Sequence, residues 1–222
     1  MKADPAPKPR ILILASGSGT NFQALVDASR ERGFPGDVVA VGCNNPQAFV
    51  LERAARSDIE SFTVNHRDFD SREAFDAALL AHIQRHSPDV IVLAGFMRIL
   101  TTDFVRAFRG RLLNIHPSLL PRYTGLNTHK RALEAGDSTH GVSVHFVTEE
   151  LDGGPVIAQA EVAIEQGDTE ESLAEKVQQK EHLLYPIVLR WFCEGRLSLG
   201  AQDQVLFDGE AIPGPLVLPE HS

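Results

Sequence analysis

The stretch that decides the fold is residues 10–26, which read RILILASGSGTNFQALV. Residues 11–14 are four consecutive large apolar side chains, a pattern typical of a fully buried strand. A Gly/Ser loop follows, and the apolar residues Phe22, Leu25 and Val26 then recur at helical spacing. This order predicts a strand, a tight loop and a helix, which is the repeating unit of an α/β protein.

The same alternation returns three more times in the first half of the chain. Successive strand–helix units imply a parallel sheet with helices packed on its faces. The predicted strands cover residues 38–43, 61–64, 90–94 and 112–115, and the predicted helices cover residues 48–57, 71–86 and 102–108.

The second half changes character. Residues 141–146 and 156–164 alternate apolar and polar side chains on either side of a Gly153-Gly154 turn, which predicts antiparallel strands. The predicted fold class is therefore α/β. It is an open, mostly parallel, twisted and Rossmann-like sheet flanked by helices, with antiparallel strands added in the C-terminal half.

Two helix starts have a capping pattern in the sequence. Asp70 with Glu73 is spaced as a capping box for the helix over 71–86, and Asp168 with Glu171 is spaced in the same way for a long C-terminal helix. Pro186 is expected to kink that long helix, because proline lacks an N–H donor.

Composition restricts the classes of protein to which the chain can belong. Its 222 residues carry 21 Lys and Arg against 30 Asp and Glu, a net charge of −9, and no basic run points to nucleic acid. No apolar run reaches the ~20 residues of a membrane span, so we expect neither nucleic acid nor a membrane as a partner, and a cytoplasmic location. Cys43 and Cys193 form no CxxC pair, and no metal site is predicted. We expect residues 1–9 to be a disordered leader and residues 10–222 to form one domain.

The glycine loop at residues 16–21 suggests a phosphate site. It joins a strand to a helix, where glycines allow close approach and the first helical N–H groups attract anions. The dinucleotide fingerprint is not met, because Phe22 stands where a third glycine is required. A simple tight turn remains the alternative interpretation.

Two polar residues at the end of the fifth strand suggest acyl chemistry. Asn114 and His116 are two positions apart, so their side chains project to the same side of the strand. An amide donor beside an imidazole is suited to holding an oxyanion and moving a proton. Asp152, in a turn rich in glycine, would favour the imidazolium form of His116 if the two were adjacent. The alternative is that each of these residues has only a structural role in a turn or in the core.

Three segments together resemble a known family. They are LAGFMRIL at residues 93–100, LNIHPSLLP at 113–121 and LDGGP at 151–155, within a similarity that runs from Arg10 to about Trp191. They resemble the phosphoribosylglycinamide formyltransferases, folate-dependent enzymes of purine synthesis. Thr20 stands where many members have Ser, and Asn127 where some have His.

The resemblance implies a role for each matching residue. The catalytic set would be Asn114, His116 and Asp152. The phosphoribosylglycinamide-binding residues would be Gly19, Thr20, Asn21 and Glu181. The folate-binding residues would be Arg72, Met97, Arg98, Ile99, Leu100, Asn114, Val147 and Asp152.

The resemblance also implies the reaction and its partners. A formyl group would pass from 10-formyltetrahydrofolate, as co-substrate and without a metal, to the amine of 5'-phosphoribosylglycinamide. Residues 10–110 would form the phosphate- and nucleotide-binding half of a single formyltransferase domain, and residues 111–222 its catalytic and folate-binding half. Only small molecules are expected as partners of a monomer or homodimer. The alternatives are a formyltetrahydrofolate hydrolase and a non-catalytic nucleotide-binding module.

Overall fold

The structure is a computed structural model that describes residues 7–218. Residues 1–6 of the expected leader lie outside the described residues. Residues 7–9 belong to no helix or strand, and the Pro9 carbonyl accepts a hydrogen bond from Asp37 N at 2.9 Å.

Eleven strands and six α-helices make up the described part of the chain. The strands are β1 Arg10–Ala15, β2 Asp37–Cys43, β3 Glu60–Thr63, β4 Val90–Leu93, β5 Leu112–His116, β6 Thr139–Phe146, β7 Val156–Ala163, β8 Leu197–Leu199, β9 Val205–Phe207, β10 Glu210–Ala211 and β11 Leu216–Val217. The helices are α1 Thr20–Ser29, α2 Val50–Arg56, α3 Arg72–Arg85, α4 Thr102–Ala107, α5 Thr128–Glu134 and α6 Glu170–Cys193, with a 3-10 turn at His66–Asp68.

Eight strands form the main sheet in the order β11-β7-β6-β5-β4-β1-β2-β3. The pairs from β3 to β5 are parallel, whereas β6 is antiparallel to both β5 and β7. The predicted fold class is confirmed, including the antiparallel addition in the second half.

Both faces of the sheet are covered, as the continuous apolar run in β1 predicts. Ile11 and Ile13 belong to the apolar cluster that includes residues of α1 and α6. Leu12 and Leu14 point to the opposite face and join a second cluster with residues of α3 and α4. Alternate side chains of a strand face opposite sides, so an unbroken apolar run serves two layers of helices.

The structure adds elements that the sequence analysis missed. Helix α5 lies between the predicted strands 112–115 and 141–146, where no helix was predicted, and β8, β9 and β10 form a separate small sheet after α6. Strand β11 pairs with β7 at the edge of the main sheet through Leu216 and Val217. These elements are too short for a periodic pattern to develop, so they depend on contacts with distant parts of the chain.

Both predicted capping boxes were misplaced by one residue. Ser71, not Asp70, caps α3, and its side chain accepts from Ala74 N at 3.1 Å. The box of α6 uses Thr169 and Ser172 rather than Asp168 and Glu171. In each case a hydroxyl one position later in the chain has the extended backbone that a cap needs. Helix α6 continues through Pro186 to Cys193.

Candidate functional site

The carboxyl ends of three neighbouring parallel strands meet at one edge of the sheet. Strand β4 lies between β1 and β5, with Leu93 in register with Leu14 on one side and with Asn114 on the other. A cavity of about 600 Å³ opens there, and most of its wall comes from residues 95–100, 114–117, 125–129 and 147–152. Ligands of open α/β sheets bind at this edge, so the cavity is the candidate active site.

His116 and Asp152 are brought together at the bottom of this cavity. Their side chains are only 7% and 8% exposed, and Nδ1 of the imidazole lies 3.5 Å from Oδ2 of the carboxylate. The other ring nitrogen, Nε2, donates to the Tyr123 carbonyl at 2.8 Å. Nδ1 is therefore the ring atom left to face the carboxylate and a substrate.

Asp152 is held by the loop that follows β5 as well as by its own turn. Its Oδ2 accepts from Gly125 N at 2.8 Å, and its φ of 51° lies in the left-handed region that Asp adopts more readily than most residues. A Cβ on Gly154 would overlap the Phe146 carbonyl, so this tight turn requires glycine. The segment 123–125 thus contacts both His116 and Asp152.

Asn114 is oriented by a histidine that the sequence analysis gave no role. His145 Nδ1 donates to the Phe146 carbonyl at 2.9 Å, which leaves Nε2 to accept from Asn114 Nδ2 at 3.1 Å. Burial lowers the pKa of His145 and keeps the ring neutral. The β5–β6 register pairs Asn114 directly with His145, so correct antiparallel pairing would have revealed this contact.

The glycine loop begins α1 as predicted. Gly19 is the N-cap residue with φ 74°, and a Cβ added there would lie 2.6 Å from Val50 Cγ2. The first-turn N–H groups of a helix have no partner within the helix, so the loop presents donors suited to an anion. Thr20 Oγ1 accepts from Gln178 Nε2 at 3.3 Å, a contact to α6 that the sequence analysis did not foresee.

Asn21 and Glu181 form one pair across 160 residues of sequence. Asn21 Nδ2 donates to Glu181 Oε2 at 2.7 Å, and Asn21 Oδ1 is buried without a hydrogen-bond partner among the described residues. Burial raises the pKa of Glu181, while the bond from Asn21 opposes that shift. Both residues were assigned to the same substrate, and the structure places them in contact.

The residues assigned to folate divide into two sets. The cavity wall contains seven of them: Met97, Arg98, Ile99, Leu100, Asn114, Val147 and Asp152. Arg72 is exposed at the first position of α3 and does not line the cavity. Its assignment to folate stays a prediction.

Four exposed apolar side chains surround the cavity. Met97, Ile99, Leu126 and Leu151 are 56–73% exposed and line its wall. Exposed apolar side chains gathered around a concave site are typical of a surface that binds a flat, partly apolar ligand. Arg98 contributes a positive charge to this wall, and within residues 7–218 its buried Nε has no hydrogen-bond partner.

Comparison with known proteins decides the family. Residues 9–189 match the family described as Formyl transferase. The chain belongs to the formyl transferase family. It is 52% identical over 203 residues to phosphoribosylglycinamide formyltransferase of Escherichia coli, which covers 91% of this chain and 95% of that protein.

Solved structures give the same result for the formyl transferase fold. The phosphoribosylglycinamide formyltransferase of Coxiella burnetii superposes with a TM-score of 0.91 at 46% identity, covering 96% of this chain and 100% of that one. Glycinamide ribonucleotide transformylase 1 of Symbiobacterium toebii superposes with a TM-score of 0.87 at 42% identity, covering 91% and 95%. The resemblance read from the three sequence segments is therefore confirmed.

Neither a cluster of metal-binding side chains nor a membrane-spanning helix is found in the described residues. Between residues 7 and 218, no group of three or more His, Cys, Asp or Glu side chains is placed to hold a metal ion. Within the same range, none of the helices has the length and apolar character needed to span a bilayer.

Proposed function

We propose that the chain transfers a formyl group from 10-formyltetrahydrofolate to the amine of 5'-phosphoribosylglycinamide. One observation carries this proposal: Asn114, His116 and Asp152 converge in a cavity with an apolar rim. A glycine loop suited to phosphate follows β1, which is separated from β5 by one strand, β4. A cavity of about 600 Å³ is within the range of small-molecule sites. Membership of the formyl transferase family supports the same reaction.

The two substrates would occupy opposite sides of the catalytic residues. The phosphate would bind at the start of α1, at Gly19 and Thr20, with Asn21 and Glu181 facing the rest of the phosphoribosyl group. The folate would lie on residues 97–100 and the turn 147–152. Arg72 would reach the glutamate of the folate from the first turn of α3.

The reaction needs attack on a carbonyl and transfer of one proton. The substrate amine forms a bond to the formyl carbon, and the carbonyl oxygen becomes an oxyanion. Asn114 Nδ2 and a protonated His116 Nδ1 donate to that oxygen, while Asp152 supports the imidazolium. The bond from the formyl carbon to folate N10 then breaks, and the proton lost by the amine passes to N10.

The contacts of Asn114 and His116 suit this division of roles. The bond to His145 fixes the Asn114 amide and leaves its second Nδ2 hydrogen for the substrate. The bond from Nε2 to Tyr123 fixes the ring of His116, so the oxyanion donors are oriented before the substrate arrives. Donors held in this way are worth about 3 kcal/mol each in transition-state stabilisation.

The partners and location of the protein remain part of the proposal. We expect small-molecule substrates only, a monomer or homodimer, and a cytoplasmic location. The two cysteines, Cys43 and Cys193, are free and buried, which suits a reducing compartment.

A formyl-transfer assay tests the proposed function. Purified protein is mixed with 10-formyltetrahydrofolate, with and without 5'-phosphoribosylglycinamide, and tetrahydrofolate, formate and the formylated amine are measured. Formation of tetrahydrofolate that depends on the amine is expected. Release of formate at the same rate without the amine would instead identify a hydrolase, and binding without turnover would identify a nucleotide-binding module.

A further inference from the structure

One hydroxyl group connects the two loops that would hold the two substrates. Ser16, the first residue of the glycine loop, donates from Oγ to Asn44 Oδ1 at 2.6 Å and accepts from Met97 N at 2.7 Å. Its main-chain N–H also donates to the Gly95 carbonyl at 3.1 Å. Ser16 is therefore bonded at two points to residues 95–100, which we call the folate loop.

The acceptor of the Ser16 hydroxyl is itself fixed. Asn44 follows β2 and is only 4% exposed. His66 Nδ1 donates to the main-chain carbonyl of Asn44 at 2.9 Å. The main chain of Asn44 is thus held by His66, and its buried side-chain Oδ1 accepts the hydrogen bond from the Ser16 hydroxyl.

The glycine loop is fixed from its other side by α2. The Gly17 carbonyl accepts from Val50 N at 3.1 Å, and the Ser18 carbonyl accepts from Arg53 Nε at 2.8 Å. These bonds hold the two carbonyls toward α2. The Ser16 side chain supplies the corresponding bond toward the folate loop, so Ser16 connects the two loops.

We propose that Ser16 is a positioning residue that keeps the glycine loop and the folate loop in register, so that both substrates meet binding loops that are already in place. The inference rests on the proposed function, because it assigns one substrate to each loop. Ser16 acts through the Met97 amide and the Asn44 side chain, and it touches neither substrate.

Steady-state kinetics of Ser16→Ala tests this role. The substitution removes both side-chain bonds and leaves the Met97 N–H and Asn44 Oδ1 without their partner. We expect the KM for 10-formyltetrahydrofolate to rise about tenfold and the KM for 5'-phosphoribosylglycinamide to rise at least about threefold, with kcat within about threefold of wild type. Ser16→Thr, which keeps a hydroxyl, should restore both KM values.

Ser29→Ala is the matched control. Ser29 lies in α1, and its hydroxyl donates to the Val26 carbonyl at 2.7 Å, so the same change removes a comparable bond away from both loops. Its KM values should equal those of wild type. Should Ser16→Ala fail to fold, Ser16→Cys provides the same test with a weakly bonding side chain of similar size.

Three kinetic outcomes would overturn the inference. They are unchanged KM values in folded Ser16→Ala, a rise in the KM of only one substrate, and a loss confined to kcat.

Hydrogen exchange of the Met97 amide gives a reading that does not depend on activity. The amide should exchange faster in Ser16→Ala than in wild type, and equal rates would also overturn the inference. An inactive wild-type protein would contradict the proposed function. An active wild-type protein whose Ser16→Ala variant has the same KM values would contradict this inference alone.

Discussion

At the scale of single residues, the site depends on side chains that neighbouring protein groups orient before a substrate binds. Asn114 is held by His145, and His116 is held by the Tyr123 carbonyl and faces Asp152. Asn114 uses one amide hydrogen in its bond to His145 and keeps the other for a substrate. His116 uses its Nε2 hydrogen in the bond to Tyr123, which leaves Nδ1 to face Asp152 and a substrate. Such preorganised donors are worth more in a buried cavity than in water.

Removing either proposed oxyanion donor should affect turnover far more than folding. Asn114→Ala and His116→Ala are each expected to lower kcat by at least ~100-fold, because a positioned donor contributes that much to transition-state stabilisation. Thermal unfolding checks that both variants are folded. A folded Asn114→Ala/His116→Ala double variant with near-normal kcat would exclude both residues from the mechanism.

His140 should make the protein less stable in mild acid. Burial is the largest effect that lowers the pKa of His140 from 6.5 to about 4, and the nearby His129 lowers it further. Asp137 and a bond to the Pro117 main chain have smaller, opposing effects. Between these two values the unfolded chain binds the proton more strongly than the folded chain does. The free energy of unfolding should therefore fall as the pH falls from 6.5 toward 4, with about 2 kcal/mol lost between pH 7 and pH 5 from this residue.

Urea unfolding at pH 7 and pH 5 measures this effect. His140→Gln cannot titrate, so the difference between the two pH values should be about 2 kcal/mol smaller than in wild type. Equal differences in the two proteins would show that His140 does not cause the acid sensitivity.

At the scale of elements, the starts of α1 and α3 affect local stability and, under the proposed function, the placement of the ligands. The start of α1 depends on a glycine with φ 74° packed against Val50, and the start of α3 depends on one hydroxyl bond. Neither dependence follows from hydrophobic periodicity, because both arise from backbone geometry at a single position.

Gly19→Ala should destabilise the protein, and Gly17→Ala is its matched control. A Cβ at Gly19 meets Val50 and requires a left-handed backbone, whereas nothing lies within 4 Å of a Cβ at Gly17. We expect a loss of about 1–3 kcal/mol in the free energy of unfolding for Gly19→Ala only. Calorimetry should also show that Gly19→Ala weakens the binding of 5'-phosphoribosylglycinamide more than the binding of folate. Equal stabilities of the two variants would refute the steric argument.

The identity of the α3 cap can be tested directly. Ser71→Ala should lower the free energy of unfolding by about 1 kcal/mol, because the side chain accepts from Ala74 N. Asp70→Ala should change it by much less. Denaturant midpoints of the two variants give the comparison. A larger loss of unfolding free energy for Asp70→Ala would show that Asp70 is the cap, as predicted from the sequence.

At the scale of the whole molecule, the two halves share one apolar cluster. It contains Ile11 and Val41 from the first half together with Val144 and Leu184 from the second. Tyr185 strengthens the connection, because its buried hydroxyl lies 2.9 Å from the Leu93 carbonyl and 3.1 Å from the Leu113 carbonyl. These contacts support the proposal of a single domain for residues 10–218, and residues 219–222 of the predicted domain lie outside the described residues.

A single domain should unfold in one cooperative transition. Trp191 is the only tryptophan in the chain and lies in α6, so its fluorescence reports on the second half, whereas far-UV circular dichroism reports on every helix. The two signals should change at the same denaturant concentration. Two separated transitions would show that the halves unfold independently.

Much of the fold was predictable because it is encoded locally. Strand and helix periods in residues 10–115 predicted four strand–helix units. The glycine loop follows one predicted strand, and Asn114 and His116 lie at the end of another, where ligands of open α/β sheets bind. The misplaced caps show the limit of this reasoning. Spacing locates a helix start to within a residue or two, but only the backbone angles select the cap.

The sequence by itself determined the fold class and the formyl transferase family, and it predicted the catalytic set through family resemblance. Only the tertiary structure decided which groups meet: Asp152 with His116, His145 with Asn114, and the Ser16 hydroxyl with the Met97 main-chain N–H. The physical reason is that periodicity and turn chemistry act between near neighbours in the chain. Contacts across 31 to 81 residues instead depend on the register and path of the whole sheet.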